Sequence, residues 1–357
     1  MLCARGRKIT AVLVLFSSMT AAFLAGCAAR NENRHTASAG EPAQVQNRGE
    51  VIRVARQFGL VYAPLMVAEK KDFFSKYGLK VEWKTLGSGG SVREAMAAGE
   101  IDAAFMGIPP YLIGWDKGLP AKIAAGYVVS PVSLVTYDPG IKSIKDFKPG
   151  HRIALPSPGS VQHILLAMAL EKEVGNPNAL DDNLVALPHP DGAQAMLSKK
   201  DVVAHFTSPP YLFEELAQPG YRVVLDGFDA FGGDFNFNVA LVTEEYHDRH
   251  PAGYAAFVMG LNEAMSWVNG HKEETAELLA PEFKLEKEKL LKYLKADGMN
   301  YTTAPYGLMG FAGFMKKAGY ISKVPGDLSE IAWENILAQV GGREGEPSLL
   351  ERMQWSK

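Results

Sequence analysis

The sequence predicts an α/β protein of two similar three-layer lobes, joined by a hinge of two crossovers and followed by C-terminal helices. The first observation is an internal repeat, in which residue 93 begins REAMAAGEIDAAFMGIPPYL and residue 193 begins AQAMLSKKDVVAHFTSPPYL. A unit that occurs twice indicates two lobes, because a solenoid needs at least three. The second observation is the alternation of short apolar runs with helical patterns, which is typical of parallel sheets covered by helices. Two such lobes enclose a cleft, where a small ligand can bind.

The first lobe begins with a strand over residues 51–55, and a helical pattern over residues 65–77 stops at a glycine. A second strand follows over residues 79–86. A Gly- and Ser-rich loop opens a helix that runs to about residue 98, and residues 101–106 form the next strand. This order predicts a sheet with helices on its faces.

The same plan starts again after an apolar run over residues 121–137. Residues 152–155 predict a strand, residues 161–174 a helix and residues 184–187 another strand. Residues 235–242 then return as a strand, and helical patterns follow residue 251. We therefore assign residues 51–137 and 236–345 to lobe 1 with its C-terminal helices, and residues 138–235 to lobe 2.

The N-terminal residues predict an export signal. Arg5, Arg7 and Lys8 precede an apolar run that ends in Leu-Ala-Gly-Cys at Cys27. This ending resembles the bacterial lipoprotein signal, so we expect residues 1–26 to be removed and Cys27 to be acylated, although an ordinary secretory signal would also explain the run. Residues 27–50 are polar and rich in small side chains, which indicates a flexible tether. The expected location is outside a bacterial membrane, held by a lipid.

The composition of the chain limits the classes of partner and cross-link that we expect. The chain has two cysteines, and one of them lies within the predicted signal, so we expect no internal disulfide. The formal net charge of -3 gives no indication of a nucleic-acid partner. We expect a monomer with a small-molecule ligand and without a cofactor.

The candidate binding residues follow from the predicted sheets, since ligands of open α/β sheets lie at the carboxyl ends of the strands. Three loops in each lobe meet this condition. The candidates are Gln57, Phe58, Tyr62, Ser88, Gly89, Gly90, Ser91, Gly107, Ile108, Ser157, Gly159, Ser160, Val161, Gln162, His189, Asp191, Thr207, Ser208 and Phe235.

Two of these loops, residues 87–91 and 156–160, combine small residues with hydroxyls at a helix start. Backbone N–H groups at such a position favour an anion. Plain N-capping by Ser91 and Ser160 is the alternative for either loop alone. Their matched positions in two lobes favour a sulfonate, carboxylate or phosphate ligand. The loop at residues 87–91 lacks the lysine of a nucleotide-binding P-loop.

The repeated Pro-Pro-Tyr has two interpretations. The prolines end a strand and start a helix at the second proline. Thr207 and Ser208 just before them can also face the cleft with their hydroxyls. Phe231 and Phe235 suit a cleft wall and hinge packing equally well.

No catalytic signature emerges from the sequence. His163 follows Ser160 by three residues, but no carboxylate is placed to complete a triad. His189 and His205 are single histidines near the predicted cleft, where a ligand contact or a satisfied polar group is expected rather than a metal site. His247 lies in a charged segment typical of a solvated helix start.

Several segments resemble the solute-binding proteins of ABC importers for nitrate, sulfonates and taurine. They are Tyr62-Ala63-Pro64-Leu65, Tyr77-Gly78-Leu79-Lys80-Val81, Ala97-Ala98-Gly99-Glu100-Ile101-Asp102-Ala103, Ile144-Lys145-Asp146-Phe147 and Gly150-His151-Arg152-Ile153-Ala154. The resemblance spans about residues 51–251. The same superfamily includes binders of thiamine-precursor pyrimidines and is close to pyrimidine-synthesis enzymes.

The resemblance implies a type II periplasmic binding protein, which closes on its ligand and presents it to a membrane permease. Because no arginine lies in a cleft loop, a small organic molecule, with a sulfonate- or taurine-like anion favoured, is expected over an inorganic anion. A pyrimidine-type ligand is the alternative. An enzyme is a distant third, because the mature chain lacks the cysteine-rich motif of that enzyme family. A receptor that feeds a signalling protein is also consistent with the pattern.

Overall fold

The computed structural model describes residues 49–340 and contains two sheets, each covered by helices. The predicted signal, Cys27, nearly all of the tether and the end of lobe 1 lie outside these residues. The strands are β1 (Glu50–Arg56), β2 (Leu79–Thr85), β3 (Ala103–Met106), β4 (Ala121–Val129), β5 (Ser133–Thr136), β6 (Ile153–Leu155), β7 (Leu184–Ala186), β8 (Ala204–Thr207), β9 (Arg222–Asp226), β10 (Asn238–Thr243) and β11 (Asn300–Tyr301).

Thirteen α-helices occur among the same residues. They are α1 (Ala63–Lys71), α2 (Gly89–Ala97), α3 (Ile108–Asp116), α4 (Val161–Val174), α5 (His189–Ser198), α6 (Tyr211–Leu216), α7 (Gly227–Phe231), α8 (Glu244–Arg249), α9 (Pro251–Gly270), α10 (Lys272–Phe283), α11 (Lys287–Leu294), α12 (Leu308–Lys317) and α13 (Glu334–Val340). Short 3-10 turns lie at Leu60–Tyr62, Ser75–Tyr77, Ile144–Asp146, Asp181–Asn183 and Leu328–Glu330.

The first sheet has the strand order β11-β4-β10-β3-β1-β2. Strands β2, β1 and β3 are parallel, as the sequence predicts. Strand β10 inserts antiparallel between β3 and β4. The second sheet has the order β7-β6-β8-β5-β9, and β5 inserts antiparallel between β8 and β9. Each sheet therefore takes an antiparallel strand next to a crossing of the chain, and β11 adds a second one at the edge of the first sheet.

The first crossing lies earlier than the boundary that the sequence predicted. Ser133–Thr136 pairs in the second sheet, although residues up to 137 were assigned to lobe 1. The chain passes between the sheets at residues 130–132, where Ser130-Pro131 divides the apolar run. Proline has no N–H to donate to a ladder, so it separates β4 from β5. The chain returns to the first sheet after α7 and enters it as β10.

The hundred-residue repeat has a direct structural counterpart. Its first copy is α2, β3 and α3, and its second is α5, β8 and α6, in the two lobes respectively. The Pro-Pro pairs are used differently, however. Pro109 and Pro110 lie within the first turn of α3, whereas α6 begins at Tyr211, after its prolines.

The helix predicted over residues 65–77 is shorter than its pattern. Helix α1 ends at Lys71 because Asp72 adopts a left-handed conformation with φ 55°. A separate 3-10 turn then leads to Gly78. In contrast, α4 has the predicted bounds. No helix within residues 49–340 is both long and apolar enough to cross a membrane.

Candidate functional site

A cavity lies where the two lobes meet, at the predicted ends of the strands. Loops from both sheets contribute to its wall. The lining residues are Gln57, Phe58, Tyr62, Gly89, Gly107, Pro110, Pro156, Ser160, Val161, Gln162, His189, Phe237 and Asn238.

Four helices direct their N-terminal ends toward this cavity. Gly89 and His189 are the first residues of α2 and α5, Gly107 caps α3, and Ser160 caps α4. The N–H groups of a first helical turn have no intrahelical acceptor, and each helix dipole adds roughly half a positive charge there. Prolines, which lack an N–H, occupy two first-turn positions of α3 and one of α5, so the free N–H groups lie mainly on α2 and α4. The cavity therefore favours an anion.

This electrostatic preference arises without formal charge on the wall. Among the described residues that line the cavity, none is Lys, Arg, Asp or Glu. Arg56, at the end of β1, is paired with Glu69 at 2.6 Å, and its guanidinium lies over the ring of Trp83. The polarity of the site comes from neutral groups and from the backbone.

The neutral polar side chains are held by hydrogen bonds behind the wall. Gln57 Nε2 donates to the carbonyl of Phe105 at 3.2 Å. Asn238 Nδ2 donates to the hydroxyl of Tyr62 at 2.8 Å, and burial raises the pKa of that phenol. Since these contacts fix one end of each side chain, the wall is ordered before a ligand arrives.

His189 belongs to a buried line of polar side chains. Its Nε2 lies 3.1 Å from Nε2 of Gln162, and its Nδ1 lies 3.3 Å from Nε2 of His205. His205 Nδ1 lies 2.6 Å from Oε1 of Glu215. Burial raises the pKa of Glu215 to about 9 and lowers that of His205 to about 3, so both are neutral at pH 7.

The remaining wall is apolar. Phe58, Pro110, Pro156, Val161 and Phe237 line the cavity, and Phe58 is 40% exposed at its edge. A ligand with a polar anionic end and an apolar end matches this division.

The lobes approach closely around the cavity. A Cβ on Gly107 would stand 2.3 Å from Cγ2 of Val161 across the cleft, so only glycine fits there. The N–H of Leu60 donates to the carbonyl of Pro209 in the other lobe at 2.9 Å. The cavity measures about 20 Å³, which accommodates about one water molecule. A ligand larger than a water molecule would need more space than the lobes leave in this conformation.

Nine of the predicted site residues line the cavity and ten do not. Those that line it are Gln57, Phe58, Tyr62, Gly89, Gly107, Ser160, Val161, Gln162 and His189. Those that do not line it are Ser88, Gly90, Ser91, Ile108, Ser157, Gly159, Asp191, Thr207, Ser208 and Phe235.

Thr207 and Ser208, whose hydroxyls were expected to face the cleft, are not among the residues that line the cavity. Both residues are buried, and Thr207 Oγ1 lies 3.3 Å from Nδ1 of His189. Thr207 thus supports a lining residue from behind. Asp191 is exposed on α5, and Ile108 is buried in α3.

Phe235 packs at the hinge rather than in the cavity. Its ring is fully buried against Phe228, Phe231 and Phe311, with ring centroids 5.0 to 5.5 Å apart. The segment that returns to the first sheet is anchored by this aromatic cluster. Hinge packing, one of the two interpretations offered by the sequence, accounts for both Phe231 and Phe235.

Capping explains part of the two small-residue loops. Ser88, not Ser91, caps α2, and its Oγ accepts from the N–H of Ser91 at 3.1 Å. Ser160 caps α4 as expected. Gly90 and Ser157 meet across the cleft, since a Cβ on Gly90 would lie 3.7 Å from Cβ of Ser157.

His163 does not form a catalytic triad with Ser160. Its Nδ1 accepts from the N–H of Gly159 at 2.9 Å, and its Nε2 lies 3.2 Å from Asp181 Oδ1. Both ring nitrogens therefore hold structure in place. Within residues 49–340, no cluster of three or more His, Cys, Asp or Glu side chains is arranged to hold a metal ion.

The sequence did not identify Pro110, Pro156, Phe237 and Asn238 as lining residues. Pro110 and Pro156 each lie within or beside a loop that the sequence predicts at the cleft, so their position in the sequence could have identified them. Phe237 and Asn238 were placed inside a predicted strand. Strand β10 in fact starts at Asn238, so its first residue opens onto the cleft.

Comparison with known proteins connects this site to a family. The model of the NMT1-like family matches residues 52–281. A Bacillus subtilis (strain 168) protein named for the binding of aliphatic sulfonates is 29% identical over 281 residues, covering 76% of this chain and 78% of that protein.

Two solved structures share the architecture. The alkanesulfonate-binding protein SsuA from Xanthomonas axonopodis pv. citri, bound to MOPS, aligns with a TM-score of 0.63 and 19% identity, covering 76% of this chain and 92% of that one. The nitrate-binding protein NrtA from Synechocystis PCC 6803 aligns with a TM-score of 0.62 and 18% identity, covering 82% and 89%. The predicted fold, that of periplasmic binding proteins, is confirmed.

Proposed function

The chain belongs to the NMT1-like family, and we propose that it is the extracytoplasmic solute-binding protein of an ABC importer. It captures a small organic anion, of the sulfonate class, in the cleft between its lobes. Closure of the lobes then presents the loaded protein to a membrane permease. The relative from Bacillus subtilis, named for binding aliphatic sulfonates, supports this ligand class.

The observation that carries the proposal is the convergence of four helix N-termini on a cavity without formally charged side chains. A sulfonate presents several oxygens, and the first-turn N–H groups of α2 and α4, which no proline interrupts, can each meet one of them. The apolar part of the wall, which includes Phe58 and Phe237, then suits the carbon chain of an organic sulfonate better than it suits nitrate.

Binding, rather than catalysis, is the proposed activity. Each ring nitrogen of His163 contacts a structural partner, and His189 contacts neutral polar groups. No nucleophile activated by a base lines the cavity among the described residues. The cleft is thus equipped to hold and release a molecule unchanged.

Thermal unfolding against matched compounds tests the ligand class. We expect butanesulfonate to raise the melting temperature by several degrees, because a ligand at a hundred times its Kd adds about 2.7 kcal/mol. Butanol carries the same chain without the anion and should have no effect. Nitrate and taurine separate the contribution of the head group from that of the chain. Failure of every anion to shift the melting temperature would contradict the proposal.

A pyrimidine-type ligand is the second candidate, and the aromatic side chains of Phe58, Tyr62 and Phe237 favour it. A neutral aminopyrimidine belongs in the same panel. Stabilisation by the pyrimidine without stabilisation by butanesulfonate would replace the first proposal with this one.

We also propose that the protein acts as a monomer tethered to the membrane through a lipid on Cys27. The Cys27→Ser variant, expressed in bacteria, should move from the membrane fraction to the soluble fraction. The Cys3→Ser variant is the control and should stay in the membrane fraction, because Cys3 lies within the expected signal. Membrane retention of the Cys27→Ser variant would refute the anchor.

A further inference from the structure

A line of buried side chains runs from the cavity wall into the second lobe. It begins at Gln162, continues through His189 and His205, and ends at Glu215. Gln162 is 2% exposed, and His205 and Glu215 are fully buried. The last two residues make no contact with the cavity, so their effect on a ligand must pass through His189.

Hydrogen bonding along this line permits two proton arrangements, and the hydroxyl of Thr207, 3.3 Å from Nδ1 of His189, can donate to that nitrogen in the first and accept from it in the second. A neutral imidazole carries one N–H, and its other nitrogen accepts. If Glu215 is protonated, it donates to Nδ1 of His205, Nε2 of His205 donates to Nδ1 of His189, and Nε2–H of His189 faces Gln162. If Glu215 is ionised, both histidines carry the proton on Nδ1, and Nε2 of His189 accepts. The second arrangement contains one proton fewer, which is released to solvent.

The orientation of the Gln162 amide depends on which of the two proton arrangements is present. When Nε2–H of His189 donates, the amide oxygen of Gln162 must accept, and its NH2 group turns toward the cavity. When Nε2 of His189 accepts, the amide takes the opposite orientation. Exchanging the amide oxygen and nitrogen leaves the heavy-atom positions unchanged, so the hydrogen-bond network decides between the two orientations.

The surroundings of Glu215 favour the protonated form. Within residues 49–340 its single ion-pair contact is with His205, and its Oε2 has no hydrogen-bond partner. A carboxylate buried in this way has too few hydrogen bonds to offset the free-energy cost of burying its charge. The other titratable and charged groups nearby have partners of their own or are exposed. The hydroxyls of Tyr137 and Tyr221 donate to the carbonyls of Val202 and Met196, and the ammonium group of Lys199 lies over both tyrosine rings. Tyr211 stacks on His189, Glu214 forms an ion pair with Lys289, and Asp191 is exposed.

We propose that His205 and Glu215 are positioning residues that determine ligand specificity, because they hold His189 and Gln162 in the arrangement that donates to an anion. This inference rests on the proposed function of the cleft. It explains how a wall without lysine or arginine can present side-chain donors in addition to the helix N-termini. Neither residue touches the ligand.

The tautomer of His189 tests the inference without any ligand. In 15N-labelled protein at pH 7, long-range 1H–15N NMR spectra should show His189 and His205 both protonated on Nε2. Assignment comes from the His189→Gln and His205→Gln variants. Protonation of His189 on Nδ1 at pH 7 would overturn the inference, whatever the cleft binds.

The pH dependence of affinity tests its consequence. Butanesulfonate keeps its charge over the whole range, so a change in its Kd reports on the protein. We expect the affinity of the wild type to fall about tenfold between pH 8 and pH 10.5, as one donor to the anion becomes an acceptor. The Glu215→Gln variant cannot ionise and should lose this fall. The Asp191→Asn variant, which removes an acid outside the line, should keep it.

The outcomes separate the two proposals. Equal pH profiles for the wild type and Glu215→Gln would overturn the role of Glu215 while leaving the proposed function intact. If butanesulfonate does not bind at any pH, the proposed ligand class fails, and the NMR result alone decides whether the buried line controls the tautomer of His189.

Discussion

A disulfide across the cleft tests whether the lobes close as the structure describes. Cβ atoms placed on Gly90 and Ser157 would lie 3.7 Å apart, within the range of about 3.5–4.5 Å that a disulfide requires. The two residues belong to different lobes, at the starts of α2 and of the loop before α4. We therefore expect the Gly90→Cys/Ser157→Cys variant to cross-link under mild oxidation.

The size of the effect follows from the loop that the disulfide closes. Linking residues 90 and 157 encloses roughly 70 residues, which corresponds to about 4 kcal/mol of stabilisation in the chain-entropy account. The unfolding free energy of the oxidised variant should rise by up to this amount. Because the closed cavity measures about 20 Å³, the cross-linked protein should also fail to admit butanesulfonate.

The assay combines thiol titration, urea unfolding and calorimetric binding in a Cys3→Ser/Cys27→Ser background. Reduction should restore two free thiols and ligand binding together. The two single-cysteine variants control for the substitutions themselves. Failure to cross-link would show that the lobes do not approach as described, and normal binding by the cross-linked protein would show that ligand entry needs no separation of the lobes.

Three further predictions concern the same region. Gly107→Ala should weaken ligand binding tenfold or more in calorimetry, because the new methyl group collides with Val161, and adding Val161→Ala should restore binding; unaltered affinity in the single variant would contradict this. Between pH 7 and 8.5 the unfolding free energy of the Glu215→Gln variant should fall less than that of the wild type. The folded wild type keeps a proton there (pKa about 9) that the unfolded chain has lost, so its unfolding free energy falls by up to about 1.4 kcal/mol per pH unit; parallel urea-denaturation curves would refute this. Ser160→Ala should lower the unfolding free energy by about 1 kcal/mol through loss of the α4 cap, and Ser160→Asn should recover most of it.

Local patterns predicted the elements that depend on local physics. Helix α4 has its predicted bounds because a serine cap, a continuous apolar face and a C-terminal glycine coincide with its ends. The repeat predicted that two lobes share the plan of helix, strand and helix. The crossing at Ser130-Pro131 was misplaced because a continuous apolar run looks the same in the sequence whether its residues pair in one sheet or in two.

The candidate site was predictable where a loop enters the cleft, and less so where one residue supports another. The sequence indicated that His189 and Thr207 both lie near a strand end, but only the pairing of β8 with β5 and β6 places Thr207 behind His189. In the same way, ten residues separate His205 from Glu215, and α6 brings their side chains to 2.6 Å. Such contacts depend on tertiary packing and leave no periodic pattern in the sequence.

The two copies of the repeat have acquired different tasks at equivalent positions. Gly107 lines the cavity and, by lacking a side chain, lets Val161 of the other lobe approach. Thr207, one hundred residues later, supports His189 from behind the wall. Gly107 directly follows the buried strand β3, Thr207 is the last residue of the buried strand β8, and a Pro-Pro pair comes shortly after each, so the two lobes place these positions at equivalent strand ends. One copy uses it for close contact between lobes and the other for polar support, so a nearly symmetric framework presents an asymmetric wall to the cavity.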